Sequence, residues 1–182
     1  STAICLLMGY PIAYIMARAK EKTQKTMMTL IMIPMWMNFL IRTYAWMTIL
    51  QDKGIMNGLL AKIGLGPVQV IGTETAVIIG MVYDFLPFMI LPIYTTIIKI
   101  DKSYLEAAKD LGATNAKAFI KVTLPLSKSG IISGISMVFL PSMTNYVVSN
   151  YLTYRNVKIF GKLIDDYFTG GLWHDGSFVA LV

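Results

Sequence analysis

The chain has 182 residues, of which 55% are hydrophobic and only 14% charged, with a net charge of +6. A soluble domain carries about 25% charged residues, and the Lys and Arg here lie in short stretches between long apolar runs, which excludes a basic nucleic-acid face and fits membrane loops. One cysteine, Cys5, and one histidine, His174, exclude an internal disulfide and a Cys/His metal cluster.

In chain order, apolar segments occupy residues 2–17, 27–50, 75–98 and 130–149, and a further run begins near Ser177. Each of the four is near or above the roughly 20 residues that cross a bilayer. Helix is the expected form, because a spanning segment must satisfy its backbone hydrogen bonds internally. Pro11, Pro34, Pro87, Pro92 and Pro141 lie inside these segments, which argues against strands and predicts kinks. The expected fold is all-α, a polytopic membrane helix bundle forming a single domain over 1–182. No basic stretch precedes the first run, so that run does not read as a signal peptide. The chain reads as a fragment with material missing at both ends. Cys5 is expected to face lipid or a neighbouring helix.

The loops between segments carry four, two, six and three Lys and Arg in turn. The first holds Arg18, Lys20, Lys22 and Lys25; the third, over 99–128, holds Lys99, Lys102, Lys109, Lys117, Lys121 and Lys128. By the positive-inside rule these two are cytoplasmic, and the second and fourth external. Gly54, Gly58, Gly64, Gly66 and Pro67 mark turns in the second loop. In the fourth, Val157, Phe160, Ile164 and Phe168 stand near helical spacing, with Ile159, Leu163 and Tyr167 beside them. Lys158, Lys162, Asp165 and Asp166 interrupt that stripe, predicting a short amphipathic helix at the outer surface or on the bundle. His174 falls in a loop without companions and is assigned no chemistry.

The third loop is about 30 residues long but does not have a loop's composition. Ser103-x-x-Glu106 reads as a capping box that starts a helix, Gly112 as its C-terminal stop, and Thr114 or Asn115 as the cap of a second helix through Val122. Pro125 then marks the turn back to the membrane. One apolar face is expected from Tyr104, Leu105, Ala108 and Leu111, another from Ala116, Phe119 and Ile120. Small residues at Ala107 and Ala108 permit close approach of another element. Such a pair either inserts into a partner's cleft or covers its own bundle, and the residues alone leave both open.

The spacing Glu106-Ala107-Ala108, Gly112, Val122, Leu124-Pro125 resembles the EAA signature of ABC importer permeases, with Val122 where that pattern has isoleucine. Gly9-Tyr10-Pro11, Asn38-Phe-Leu-Ile-Arg42-Thr-Tyr44, Leu86-Pro87-Phe88-Met89 and Leu140-Pro141-Ser-Met143 resemble the spermidine/putrescine permease branch over nearly the whole chain. The resemblance implies a type I ABC importer permease fold. Of its six membrane helices, this fragment would lack the first and most of the last. It implies a bacterial inner-membrane, multi-pass subunit that imports polyamines from an extracytoplasmic solute-binding protein, beside a second permease subunit. ABC ATPase subunits would dock on the coupling loop formed by Ser103, Glu106, Ala107, Ala108, Gly112, Val122, Leu124 and Pro125. The chain has no G-x-x-x-x-G-K-[ST] phosphate loop, so ATP and Mg would be bound by that partner, and this chain itself would carry no cofactor and catalyse nothing. Glu106 has two readings, a helix cap and a docking group; they are compatible.

Two charges lie within apolar runs, Arg42 and Asp84. Both fall roughly 12–14 Å below the outer surface at about 1.5 Å per residue, so they are expected at one depth and in reach of each other. One reading is a structural ion pair joining two helices; the other has Asp84 facing a cationic solute. Ser142, Thr144, Asn145, Ser149 and Asn150 make the end of the fourth segment polar and are expected to point inward. Thr144, Asn145 and Tyr146 join Arg42 and Asp84 as a candidate translocation path, with packing the plain alternative. Gly130-x-x-x-Gly134 is expected to set a close helix contact. Rival readings are an importer of sulfate, phosphate or iron with the same architecture, an ion-driven transporter or channel, and a membrane enzyme.

Overall fold

A computed structural model describes residues 1–52, 54–62, 64, 69–152 and 160–181, and the side chain of Tyr146 lies outside the description. All regular structure among the described residues is helical: α1 (Thr2–Arg18), α2 (Glu21–Trp36), α3 (Phe39–Leu50), α4 (Ile55–Lys62), α5 (Glu74–Ile97), α6 (Lys102–Asp110), α7 (Asn115–Leu126), α8 (Lys128–Thr144), α9 (Tyr146–Leu152), α10 (Phe160–Thr169) and α11 (Trp173–Leu181). Gly66, Pro67, Val157, Lys158 and Ile159 lie outside the described residues.

Two of the four expected spans are broken, and the breaks share a cause. The segment 27–50 divides between α2 and α3, and 130–149 between α8 and α9. Each break falls at an asparagine four residues after a proline: Asn38 after Pro34, and Asn145 after Pro141. Asn38 has extended ψ and its Oδ1 accepts from the Leu40 amide at 2.9 Å; Asn145 Oδ1 accepts from the Val148 amide at 3.4 Å. Proline removes a backbone donor, and an asparagine side chain then offers the next turn a competing acceptor, so a new helix starts. Pro11, Pro87 and Pro92 lack that asparagine, and α1 and α5 continue through them. Among the described residues α5 alone is long and apolar enough to cross a bilayer by itself; α7 and α8 qualify as a pair bent by 62°, and α1 is a shorter apolar helix.

Other boundaries differ from the sequence reading as well. The second loop contains α4, so Gly58 is helical rather than a turn, whereas Gly64 has φ +80° and does turn the chain. The final run begins at Trp173, earlier than Ser177, which places His174 in α11. Within α10, Lys162 is buried rather than on a solvated face.

The chain forms two compact units. One comprises residue 1, 37–84 and 140–182; the other 2–36 and 85–139. In the first, α3 packs on α4 and α9, and α10 on α9 and α11. Gly80 on α5 lets Leu152 and Val148 of α9 approach closely, and Leu50, Val77, Met81 and Leu152 are buried.

In the second unit, α1 buries Cys5, Gly9, Ala13 and Met16, one face at helical spacing. Its other face carries Leu7, 75% exposed, and Met8 and Ile15, and α2 ends on Trp36, 78% exposed. Large apolar side chains displayed this way fit lipid or partner subunits, not water. The core is drawn tight by glycines around the fully buried Met89 of α5. A Cβ on Gly9 of α1 would lie 2.9 Å from Met89 Cγ, and one on Gly134 of α8 2.8 Å from Met89 Sδ. A Cβ on Gly130 would lie 2.6 Å from Thr96 Oγ1 and 2.7 Å from the Pro92 carbonyl oxygen. The expected glycine-mediated contact is therefore between α8 and α5.

Gly130→Ala forces backbone apart and is expected to destabilise the assembled protein by about 1–3 kcal/mol. Gly58→Ala has nothing within 4 Å and replaces a poor helix former, with an expected gain of up to ~1 kcal/mol. Thermal unfolding of the two variants in detergent is expected to shift in opposite directions.

Candidate functional site

The segment 99–128 lies wholly within the second unit. It begins at α6, whose cap is not the Ser103–Glu106 box. Asp101, with φ −61° and ψ 135°, is the N-cap, and its Oδ1 accepts from the Ser103 amide at 2.9 Å. The aspartate two residues upstream supplies a charged acceptor at the positive end of the helix, which outcompetes a serine hydroxyl. Ser103 is thus a first-turn residue, and Glu106 is exposed with no hydrogen bond or ion pair among the described residues. Glu106 therefore does not cap the helix as expected: Asp101 does.

The C-terminus of α6 closes as expected at Gly112. Its φ is +78°, a conformation that disfavours a side chain. The Gly112 amide donates to the Lys109 carbonyl at 2.8 Å and the Ala113 amide to the Ala108 carbonyl at 2.9 Å, the paired bonds of a Schellman stop. Thr114 Oγ1 then accepts from the Lys117 amide at 3.3 Å and starts α7.

Helix α7 runs beyond Val122, through Leu124 and Pro125 to Leu126, and the chain turns at Ser127. Residues Phe119–Thr123 form a π-helical turn, in which the Leu124 amide donates to the Phe119 carbonyl. Pro125 has no amide to give Lys121, and its ring crowds that carbonyl; widening the preceding turn accommodates both.

The buried faces of the two helices differ from those expected. On α6 only Leu105 and Ala108 are half-buried, while Tyr104, at 59%, and Leu111, at 89%, are exposed. On α7, Ala118 and Thr123 are buried and Phe119 and Val122 half-buried, whereas Ala116 and Ile120 are exposed. Phe119 stands edge-on to two rings of α1: Tyr10 at 5.8 Å and 82°, and Tyr14 at 5.1 Å and 85°. At the far end of α7, the buried hydroxyls of Tyr10 and Ser127 hydrogen-bond at 2.8 Å. Arg18 lies over the other partner, with its Cζ 4.6 Å from the Tyr14 centroid. So α7 is joined to α1, while α6 stands away from it: a cleft of about 460 Å³, lined by Ala17, Arg18, Ile97, Leu105, Glu106 and Lys109 among others, separates them. Sequence reasoning placed Phe119 on a face but missed its partners; Tyr10 and Tyr14, one helical turn apart, were the available signal.

The second set of candidates lies in the other unit. Arg42 of α3 and Asp84 of α5 are brought together, with Nη1 3.5 Å from Oδ1 and side chains 10% and 3% exposed. The expected pairing is therefore present. Asn145 is half-buried and serves as the cap of α9. Ser149 is buried, but Thr144 is exposed and its hydroxyl bonds back to the Leu140 carbonyl of its own helix at 3.3 Å, so it does not point inward. Tyr146 is helical, and its side chain lies outside the described residues. Among the described residues no group of three or more His, Cys, Asp or Glu is placed to hold a metal.

Residues 9–168 match the family model described as the binding-protein-dependent transport system inner membrane component. Over its whole length the chain is 42% identical to the spermidine/putrescine transport system permease protein PotB of Haemophilus influenzae, covering 64% of that protein. Over 90% of its length it is 40% identical to PotB of Escherichia coli K12, covering 60% of that protein. The chain thus spans somewhat under two thirds of the curated relatives it matches. Its fold matches a chain in the crystal structure of a bacterial alginate ABC transporter complexed with an alginate pentasaccharide-bound periplasmic protein. The TM-score is 0.73 at 20% identity, covering 99% of this chain and 68% of that one.

Hydrogen bonds from the Ser103 amide and hydroxyl hold the Asp101 carboxyl below its ordinary value of 3.8. A lowered folded-state value means the cap's contribution is complete above that ordinary, unfolded value and is lost as pH falls through the folded one. Asp101→Asn keeps an acceptor and is expected to remove this acid sensitivity, whereas Asp101→Ala frays α6 at neutral pH. Amide exchange at Ser103, followed against pH, checks both.

Proposed function

This chain belongs to the family of binding-protein-dependent transport system inner membrane components, and on that premise we propose that it is a membrane-spanning permease subunit of an ATP-driven importer of polyamines such as spermidine and putrescine. It sits in a bacterial inner membrane as a multi-pass protein. The substrate class rests on 42% and 40% identity to spermidine/putrescine permeases. The partners are ATPase subunits that bind ATP and Mg, a second permease subunit, and a solute-binding protein on the outer face.

The observation that carries the mechanism is the joint between α7 and α1. Helix α6 buries none of its residues fully and displays Tyr104, Leu111 and the unpaired Glu106, together with the small Ala107. This is the surface of a docking element: an apolar anchor, a charge, and a place for close approach. The ATPase takes α6 as its coupling helix. The rigid Schellman turn at Gly112 hands motion on to α7. Phe119, wedged against Tyr10 and Tyr14, passes it to α1, and the Tyr10–Ser127 hydrogen bond fixes the start of α8 to the same helix. The cleft beneath α6 leaves that helix free to be gripped without losing packing of its own. Ser103, Ala108, Val122, Leu124 and Pro125 act by shaping this loop: Ala108 closes the turn, and Pro125 sets the widened π turn that presents Phe119.

Two edge-to-face contacts are together worth about 1–3 kcal/mol. Phe119→Ala is therefore expected to lower uptake in proteoliposomes about tenfold while the ATPase still co-purifies. Ala107→Trp, on the docking surface, is expected to abolish co-purification instead. The function itself is tested by reconstituting the protein with its ATPase, second permease and binding protein. Spermidine is expected to stimulate ATP hydrolysis and be taken up; stimulation by sulfate or phosphate, with none by polyamines, contradicts the substrate class.

A further inference from the structure

The Arg42–Asp84 pair is buried but poorly made. A charge-assisted N–H···O bond is about 2.7–2.9 Å long, and here the closest approach is 3.5 Å. Arg42 Nε and Nη1 and Asp84 Oδ1 are all shielded from solvent without a hydrogen bond. Leaving such atoms unsatisfied is costly, and an ion pair kept only to join two helices gains most when its hydrogen bonds are complete. On α9, which packs against α3, Asn150 Oδ1 is likewise buried with no hydrogen-bond partner. The unit thus holds two unsatisfied acceptors, one anionic and one neutral, on α5 and α9. Aromatic pairs lie on the same three helices: Tyr44 with Tyr151 at 4.9 Å and Trp46 with Tyr83 at 5.3 Å. Arg42 is held from a second side as well: Phe39, one turn earlier, lies with its ring centroid 5.8 Å from the guanidinium carbon, within cation–π range.

We propose that Arg42 is a displaceable counter-ion: an ammonium group of the transported solute takes its place on Asp84, a second polar N–H donates to Asn150 Oδ1, and the freed guanidinium is retained by its contact with Phe39. Arg42 holds the carboxylate neutralised while no solute is present, which keeps an isolated charge out of the low-dielectric interior. A cation is needed to displace it, so neutral and anionic solutes are rejected at this point. Carboxylate, amide oxygen and aromatic rings, carried on α3, α5 and α9 of one unit, are the kinds of group that recognise a linear aliphatic amine with more than one nitrogen. This inference rests on the polyamine reading above and assigns that reading its specificity-determining residues.

The test uses the complete transporter in proteoliposomes with labelled spermidine. Asp84→Asn is expected to raise KM about tenfold or more, the scale of losing one charged partner, and Asn150→Ala to raise it by a smaller factor with the ion pair left in place. The exchange variant, Arg42→Asp with Asp84→Arg, separates recognition from structure. It is expected to restore the melting temperature lost in Asp84→Asn without restoring KM, because the carboxylate has moved to α3. A wild-type KM in Asp84→Asn overturns the proposal, as does an exchange variant that recovers KM together with stability. A wild-type complex that imports no polyamine overturns the substrate reading as well, whereas polyamine import with unchanged KM in Asp84→Asn and Asn150→Ala overturns only the present assignment.

Discussion

The structure of the 99–128 segment depends on one aromatic joint: Phe119 held edge-on by Tyr10 and Tyr14, locked at one end by the Tyr10–Ser127 hydrogen bond. Apart from it, the buried side chains of α7 are those of Ala118 and Thr123. Its first turn is exposed apart from Ala118, and its widened π turn is a weak piece of helix whose register is set by what it packs on. The tyrosine is suited to this position because its ring supplies apolar contact and its hydroxyl finds a buried partner in Ser127, whose own hydroxyl donates to the Leu124 carbonyl at 3.0 Å and so accepts from Tyr10. A similar economy governs α6. It is stabilised by its two ends, the Asp101 cap and the Gly112 stop, and is therefore able to keep most of its surface free.

What the joint grips also matters. Helix α1 is seated on α5 through Gly9, and α8 on α5 through Gly130 and Gly134, with Met89 filling the space between. Close backbone approach replaces the hydrophobic effect as the source of cohesion where the surroundings are apolar. Packed interiors deform little and shift as blocks. On the proposed function, a displacement entering through Phe119 would be delivered to α1, the adjoining part of α5 and the start of α8 together, not absorbed by one helix.

Much of this was legible in the sequence. Apolar run length gave the helices, and the Glu106–Pro125 spacing identified the segment that stands apart. The Arg42–Asp84 pairing followed from equal depth in two runs. What the sequence hid were effects of competition. Two runs that read as single spans are broken, because Asn38 and Asn145 cap new helices where Pro34 and Pro141 have already removed a donor; hydropathy averages over such a residue. Asp101 outcompeted Ser103 for the first turn of α6 by two residues and a charge. The apolar faces of α6 and α7 were read from each helix's own period, but which residues are buried is decided by partners distant in sequence, and only the rings at Tyr10 and Tyr14 determine that Phe119 turns in while Ile120 stays out.

The central claim is that α6, α7 and α1 move as one body. The most direct measurement places spin labels at Ile15→Cys on α1 and Lys109→Cys on the cleft side of α6, both exposed positions, in the assembled transporter with Cys5→Ala, and records the distance between them with and without ATP. The expected distance is constant to within about 2 Å, the scale of a small helix shift, and becomes broadened and nucleotide-dependent once Phe119→Ala is added. A wild-type distance that changes by several ångströms between the two states, with Phe119→Ala making no difference, contradicts that claim.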